Sequence, residues 1–339
     1  MQSTELIQAI VSGVQKAQVE EVEYAPVFEN EESVTGKNEF LFFVKPEITL
    51  ESPQIKLAEI LEMVFGKIKE FGLQIQNISV LSASYLKTHD IIAQHYGVIN
   101  QIASNAKQNM SDNAKAKFSA LFGKSVDEVD VLGGIEFLEK YDMFNATSAD
   151  FLWQNKKNQK LAGGTYCEDI KMDGEVVYVV NGFHPRQLLH FTEKGRSIVV
   201  FTLAGDVDWA DARGKFIGAT DPESAAEGSV RGTLLKNKDT FGLAEVSQGS
   251  NGAHLSAGPI EGLIELIRYN SNFGNADGAK TYKDFSFGKT LAENFSESQI
   301  ELILANIDVE VDGESISIFD LTEEKNSDES IELLKKALS

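Results

Sequence analysis

The chain is short of several things, and each shortage removes a class of function. It has one cysteine, Cys167, in 339 residues. One thiol cannot close an internal disulfide, so a stapled secreted scaffold is excluded. No histidine lies close to it in sequence, and such a thiol reads as inert rather than nucleophilic. Positive charge is scarce too: 31 Lys and Arg stand against 52 Asp and Glu, a net charge of −21. That field repels nucleic acid and anionic membranes, so neither is an expected partner. It also repels nucleotide phosphates at long range, so any phosphate site must be a local concentration of Lys, Arg and backbone N–H groups. No apolar run approaches the roughly 20 residues that span a bilayer. No basic start followed by an apolar stretch marks a signal peptide, and a cytoplasmic protein is the expectation.

Complete ligand motifs are missing as well. Gly123-Lys124-Ser125 and Gly288-Lys289-Thr290 look like ends of a phosphate loop, but the earlier glycine that loop requires is Phe118 or Lys283. Asp308 to Gly313 opens like a calcium loop, yet Phe319 stands where its last ligand, a Glu, belongs. No two histidines are spaced for zinc on one helix face.

What is present is a patterned α/β chain. Asn38 to Ile48 holds the continuous apolar run Phe40 to Val44, the pattern of a strand covered on both faces. Pro53 is placed to open a helix with a stripe at Leu57, Ile60, Leu61, Val64 and Ile68, closed by Gly72. A second strand is expected over 73–86. Helices are expected over about 88–104 and 112–122, and over 125–141 from the Ser125/Glu128 capping box. Asp173-Gly174 predicts a hairpin. Ser197 to Leu203 reads as a second buried strand, Ser229 to Leu235 as a short one, and Pro259 opens another amphipathic helix. A helix capped by Ser296 and Gln299, a hairpin about Asp312-Gly313 and a last helix from Ser327 follow. Residues 1–37 read as an acidic leader or oligomer contact outside the core.

One stretch gathers reactive groups. Gly218-Ala219-Thr220-Asp221-Pro222 is followed by Gly228-Ser229-Val230-Arg231-Gly232 and by Asn251-Gly252-Ala253-His254-Leu255-Ser256. Neutral imidazole is a competent nucleophile near pH 7 when an acceptor fixes one ring nitrogen. The charge on a transferring phosphoryl group needs cations and donors, which Lys45, Arg231 and Thr220 can provide. Each residue also has an ordinary reading: Glu265 could simply pair with Arg268 on its helix, and Lys45 could be a solvated charge at a strand end.

The order of these pieces, with Val44-Lys45-Pro46-Glu47 and His95-Tyr96 upstream, resembles the nucleoside diphosphate kinase family. The resemblance covers about 38–96 and 181–270. It implies a phosphorylated histidine at His254, supported by Ser256 and Glu265, the latter eleven residues on. It implies phosphate and nucleotide contacts from Lys45, Tyr96, Thr220, Arg231 and Asn251. It implies an α/β (α+β) fold: a ferredoxin-like sandwich with an antiparallel sheet, a helical insertion at about 97–180 within a domain at 38–270, and a C-terminal extension over 271–339. The implied activity is ping-pong phosphoryl transfer from a nucleoside triphosphate to a nucleoside diphosphate, with Mg2+ carried by the nucleotide, in a homo-oligomer.

Three features depart from the family pattern. His254 is followed by Leu255 rather than glycine, and could thereby be crowded. The second phosphate arginine falls by count at Gly214, beside Arg213, which is the candidate to replace it. The base-stacking residue falls near Phe183 or His184. These departures motivate two alternatives: a phosphohistidine relay to a protein or other acceptor, and an inactive nucleotide-binding scaffold.

Overall fold

The computed structural model describes residues 3–31 and 36–338; the remainder of the 1–37 segment, Glu32 included, lies outside the described residues. In chain order the strands are β1 (Tyr24–Glu29), β2 (Asn38–Val44), β3 (Gln74–Ser82), β4 (Asp130–Gly133), β5 (Gln159–Ala162), β6 (Thr165–Met172), β7 (Glu175–Val180), β8 (Ser197–Gly205), β9 (Ala253–Leu255), β10 (Asp308–Val311) and β11 (Glu314–Ser317). The chain folds as two units, one from 1–89 with 194–339, the other from 90–193.

The first unit is built on a five-stranded sheet in the order β1-β3-β8-β2-β9, antiparallel at every pairing. Without the added edge β1, the chain runs strand, helix, strand, strand, helices, strand, with the first of these strands, β2, beside the last, β9. That is the ferredoxin-like sandwich. β2 and β8 are buried along their whole length, which is why their apolar runs are continuous rather than alternating. Successive side chains of β2 nonetheless go to opposite faces. Phe40, Phe42 and Val44 join a core with the helices Ser3–Gln18 and Leu57–Glu70. Phe43 faces the other way and meets Tyr269 of the Pro259–Asn270 helix, ring centroids 5.4 Å apart.

Several expectations change here. The leader is part of the core: Leu6, Ile10, Val14 and Ala17 of Ser3–Gln18 are buried, and β1 pairs with β3. Of the acidic residues that suggested a leader, Glu20, Glu21 and Glu23 sit in the turn between that helix and β1, and Glu29 ends β1. The second helix starts at Leu57 rather than Pro53, because the Lys56 N–H is drawn to the Phe241 carbonyl (3.0 Å). The strand expected to reach residue 86 stops at Ser82, whose hydroxyl caps a helix, Ala83–Thr88. The strand expected over 229–235 is a helix, Val230–Lys236: Ser229 Oγ accepts from the Gly232 N–H (3.2 Å), a cap that starts the helix.

The C-terminal segment is anchored to the start of β2. Glu39 accepts from Ser286 N (2.9 Å) and Oγ (2.7 Å) at the head of the Ser286–Asn294 helix. Asn38 donates to Asn326 Oδ1 (2.8 Å) and accepts from the Ser327 N–H (2.9 Å) at the head of Ser327–Ala337.

The second unit, 90–193, is wider than the 97–180 expected of the insertion. Its helices include Gly97–Ser104, Asp112–Phe122 and His184–Thr192, and a four-stranded sheet in the order β4-β7-β6-β5 joins them. β4 runs parallel to β7; the other pairs are antiparallel. One face of that sheet packs on Phe118 and Ile102, the other on Phe137 and Trp153. The helix expected over 125–141 forms only at Gly134–Lys140, since pairing with β7 takes 130–133 into the sheet. Cys167 is fully buried in this unit, and burial pushes its thiol well above its ordinary range.

Candidate functional site

His254 is presented by a three-residue strand that three separate contacts hold in place. Gly252, just before β9, has φ +80°, and a Cβ there would come within 2.4 Å of Leu234, so only glycine fits without displacement. Its N–H donates to Glu47 Oε1 (2.8 Å), and its carbonyl accepts from the Lys45 N–H (2.9 Å). β9 then pairs with β2, His254 opposite Phe43. The two rings stack, centroids 4.6 Å apart and 24° from parallel. Leu255 faces the opposite side of the strand and is buried in the main core. The expected crowding of His254 by this leucine therefore does not arise.

The face that His254 shares with Phe43 is covered by Pro259–Asn270, and Glu265 projects from that helix. His254 Nε2 lies 2.9 Å from Glu265 Oε1 and 3.1 Å from Oε2. The carboxylate is 2% exposed and the imidazole 18%. A buried carboxylate beside it fixes which ring nitrogen carries the proton. One turn before it, Glu261 takes the Ala257 N–H (3.2 Å). Burial, then the charge of Glu265, pushes Glu261 up to about 7, against the Ala257 N–H and Arg213, which pull it down.

Two arginines clamp the carbonyls on either side of the histidine. Arg231 Nη2 donates to Ala253 O (3.0 Å) and Nη1 to Gly218 O (2.8 Å). Arg213 Nη1 donates to Leu255 O (2.9 Å) from a π-helical turn, Ala212–Ile217. Lys45 caps the short helix Pro46–Thr49 at the end of β2. Burial lowers its pKa; Glu47 opposes that shift and Arg231 adds to it. Asn251 is 1% exposed and donates to Thr220 O (3.0 Å) and Gln248 O (3.3 Å). Its Oδ1 is buried and accepts no hydrogen bond among the described residues. Ser256 is buried, its Oγ accepting from Leu41 N (3.2 Å), and Trp209 Nε1 holds its carbonyl (3.0 Å).

Arg213, Gly218, Thr220, Ser224 and Arg231 line a surface cavity of about 480 Å³, together with Glu324. Lys45, Asn251, His254, Ser256 and Glu265 are tied to β9 or to the turn before it. Tyr96 belongs to the second unit, where it caps Ile91–His95 and packs edge-on against His95 (4.8 Å) and His184 (6.3 Å). Phe183 lies in that unit against Trp153 (5.6 Å). His184 is fully buried there, so its ring face is closed to a base. Sequence reasoning missed Phe43, Glu47, Glu261 and Glu324. Glu261 had a legible signal, its four-residue spacing from Glu265 on one helix face. Phe43 and Glu324 had none, because only folding brings them to this strand.

No family model matches the chain, and neither does any curated relative. Solved structures similar to it include a nucleoside diphosphate kinase from Encephalitozoon cuniculi, at 12% identity and TM-score 0.32 over 72% of this chain and 93% of that one. Another is an NDP kinase from Pyrobaculum aerophilum, at 16% identity and TM-score 0.31 over 72% of this chain and 99% of that one. Overlaps this loose set no residue of this chain onto a residue of those proteins.

Proposed function

We propose that this protein is a phosphotransferase that carries the terminal phosphoryl group of a nucleoside triphosphate on His254 and passes it to a nucleoside diphosphate. The observation that carries the reading is the bond from His254 Nε2 to the buried carboxylate of Glu265, on a strand clamped by two arginines at the edge of a cation-lined cavity. With Nε2 taken by Glu265, the new N–P bond forms at Nδ1. As it forms, the bond from the terminal phosphorus to the bridging oxygen breaks, and the nucleoside diphosphate leaves with that electron pair. Nε2 keeps its proton, and Glu265 offsets the positive charge that grows on the ring. A second diphosphate then attacks the phosphohistidine, and the same steps run in reverse.

Arg231, Arg213, Lys45 and the Thr220 hydroxyl supply charge and donors for the phosphoryl oxygens. The unsatisfied Asn251 Oδ1 is an acceptor for a nucleotide hydroxyl. Tyr96 is proposed as a further nucleotide contact and Ser256 as a support for the histidine strand. The cavity's charged side chains are Arg213, Arg231 and the single carboxylate Glu324, a set that suits Mg2+ held by nucleotide phosphates rather than by a protein cage. In that role the ion would neutralise phosphate charge. Assembly as a homo-oligomer belongs to the same reading. No described helix is long and apolar enough to cross a membrane.

The test is intact-protein mass after brief exposure to ATP and Mg2+, with His254→Ala alongside. The expected result is one added phosphoryl group, acid-labile, absent from the variant and discharged by GDP. A phosphoenzyme that GDP leaves intact would move the acceptor to a protein or another phosphate compound. Nucleotide binding with no phosphoenzyme would leave a binding domain and overturn the proposed chemistry.

A further inference from the structure

The cavity lined by Arg213 and Arg231, whose guanidinium groups hold the carbonyls flanking His254, contains one group that a phosphate site does not call for, a carboxylate. Glu324 comes from the C-terminal segment and lines the same wall as Arg213, Thr220 and Arg231. Its placement is specific. Its N–H donates to the Ala257 carbonyl (2.9 Å), three residues beyond His254. The turn leading into it lies so close to the Pro259–Asn270 helix that a Cβ on Gly258 would come within 2.6 Å of the Thr322 carbonyl. Glu324 itself has φ +55°, a left-handed backbone that glycine or asparagine adopts more readily. Its Oε1 lies 3.9 Å from Arg213 Nε, a separation too long for a hydrogen bond. That Nε is buried and has no hydrogen-bond partner among the described residues. Arg213 thus spends Nη1 on the Leu255 carbonyl while its Nε proton is only weakly answered by a half-exposed carboxylate.

We propose that Glu324 is an internal anion of the cavity, a residue that opposes phosphate-bearing ligands until their oxygens displace it from Arg213. The proposal rests on the reading of this cavity as a phosphate site. Two charges of one sign cannot share the approach to Arg213 without repulsion. The tail carboxylate therefore weakens binding of any phosphate ligand that reaches this arginine. Neighbouring Glu323 carries the same charge but does not line the cavity, so it separates a local effect from a general one.

The experiment is calorimetric titration of the full chain with ADP, for the unaltered protein, Glu324→Gln, Glu324→Gly, Glu323→Gln and Arg231→Met. Glu324→Gly removes the carboxylate and suits the left-handed backbone, so it serves if the glutamine variant folds poorly. Both Glu324 variants should tighten ADP binding about three- to tenfold, as expected for removing a partly screened like charge, and Glu323→Gln less than about twofold. ADP binding that needs Arg231 but is no tighter in the Glu324 variants than in Glu323→Gln overturns the inference and leaves the phosphate reading standing. ADP binding that is absent throughout, or indifferent to Arg231→Met, overturns the phosphate reading, and the inference falls with it.

Discussion

His184 and His254, one in each unit, show what burial alone does to an imidazole and what a buried carboxylate adds. Both ring nitrogens of His184 meet neutral amides: Nδ1 with Gln187 Oε1 at 2.9 Å and Nε2 with Asn100 Oδ1 at 3.0 Å. Burial lowers its pKa, and the Gln187 contact only partly opposes the shift. It is a buried structural ring. His254 is 18% exposed and bonds an ionisable group rather than amides. The asparagines repeat the contrast. Asn181, at φ +52°, donates to Gly164 O (2.8 Å) and accepts from Tyr166 N (3.0 Å). Asn251 is equally buried, but its Oδ1 accepts nothing among the described residues. A polar group that closes its hydrogen bonds within the fold stabilises it, whereas one that leaves a buried acceptor open is costly unless a ligand completes it.

The largest contrast should come from the histidines. His254→Ala should remove the phosphoenzyme and lower nucleotide phosphotransfer by at least about 10³-fold, a loss far beyond the stability cost of leaving Glu265 buried without its partner. His184→Ala should do the reverse, costing about 1–3 kcal/mol of stability with the phosphoenzyme stoichiometry intact. Paired mass spectrometry and thermal melts read both, and a His184 variant that folds normally yet loses the phosphoenzyme would break the comparison.

Glu265→Gln keeps the shape but removes the charge opposite the imidazole. Single-turnover phosphorylation should slow on the order of 10²-fold, and an unchanged rate would reduce Glu265 to a packing role. Next come the asparagines. Asn181→Ala should cost about 1–3 kcal/mol and Asn251→Ala less, because the latter also removes an unsatisfied acceptor. In ADP titrations only Asn251→Ala should weaken binding, by about tenfold.

A pH-dependent effect on stability concerns Glu261, whose folded pKa of about 7 stands above its ordinary value of 4.5. Between those values the folded protein holds a proton that the unfolded chain has released. Stability therefore falls as pH rises through this window, and the loss is complete above about 7. Glu261→Gln should melt higher than the unaltered protein at pH 8 and nearly equal to it at pH 4. Equal melts at both pH values would show that Glu261 ionises freely in the fold.

The sequence made much of the frame legible where one local pattern had one structural answer. The continuous run Phe40 to Val44 has nowhere to go but a strand covered on both faces. The Ser296/Gln299 box begins a helix as read, Glu297–Leu304. Asp173-Gly174 turns a hairpin, with φ +52° and +88°. Reading failed where a local signal competed with a distant one. The Ser125/Glu128 bond forms (Ser125 N to Oε2, 2.8 Å), yet pairing with β7 takes the following residues into a sheet. At 229–235, read as a short strand, a competing local signal won: the Ser229 cap starts a helix there.

For the candidate site, the order of residues and its resemblance to the nucleoside diphosphate kinase family singled out His254, Glu265, Arg231, Lys45 and Asn251, because chemistry and spacing are properties of the chain. Folding decided what each of them touches. Opposite faces of β9 separate His254 from Leu255, a consequence of the two-residue strand period that residue identity alone does not reveal. Arg213 and Arg231 reach the carbonyls flanking the histidine only because a π-helical turn and a capped helix bring them there. Glu324 reaches the same cavity from the far end of the chain. Sequence determined which elements form and which groups they carry, since propensity and periodicity act over a few residues. The tertiary structure decided which charges meet, since desolvation and Coulomb attraction act through space.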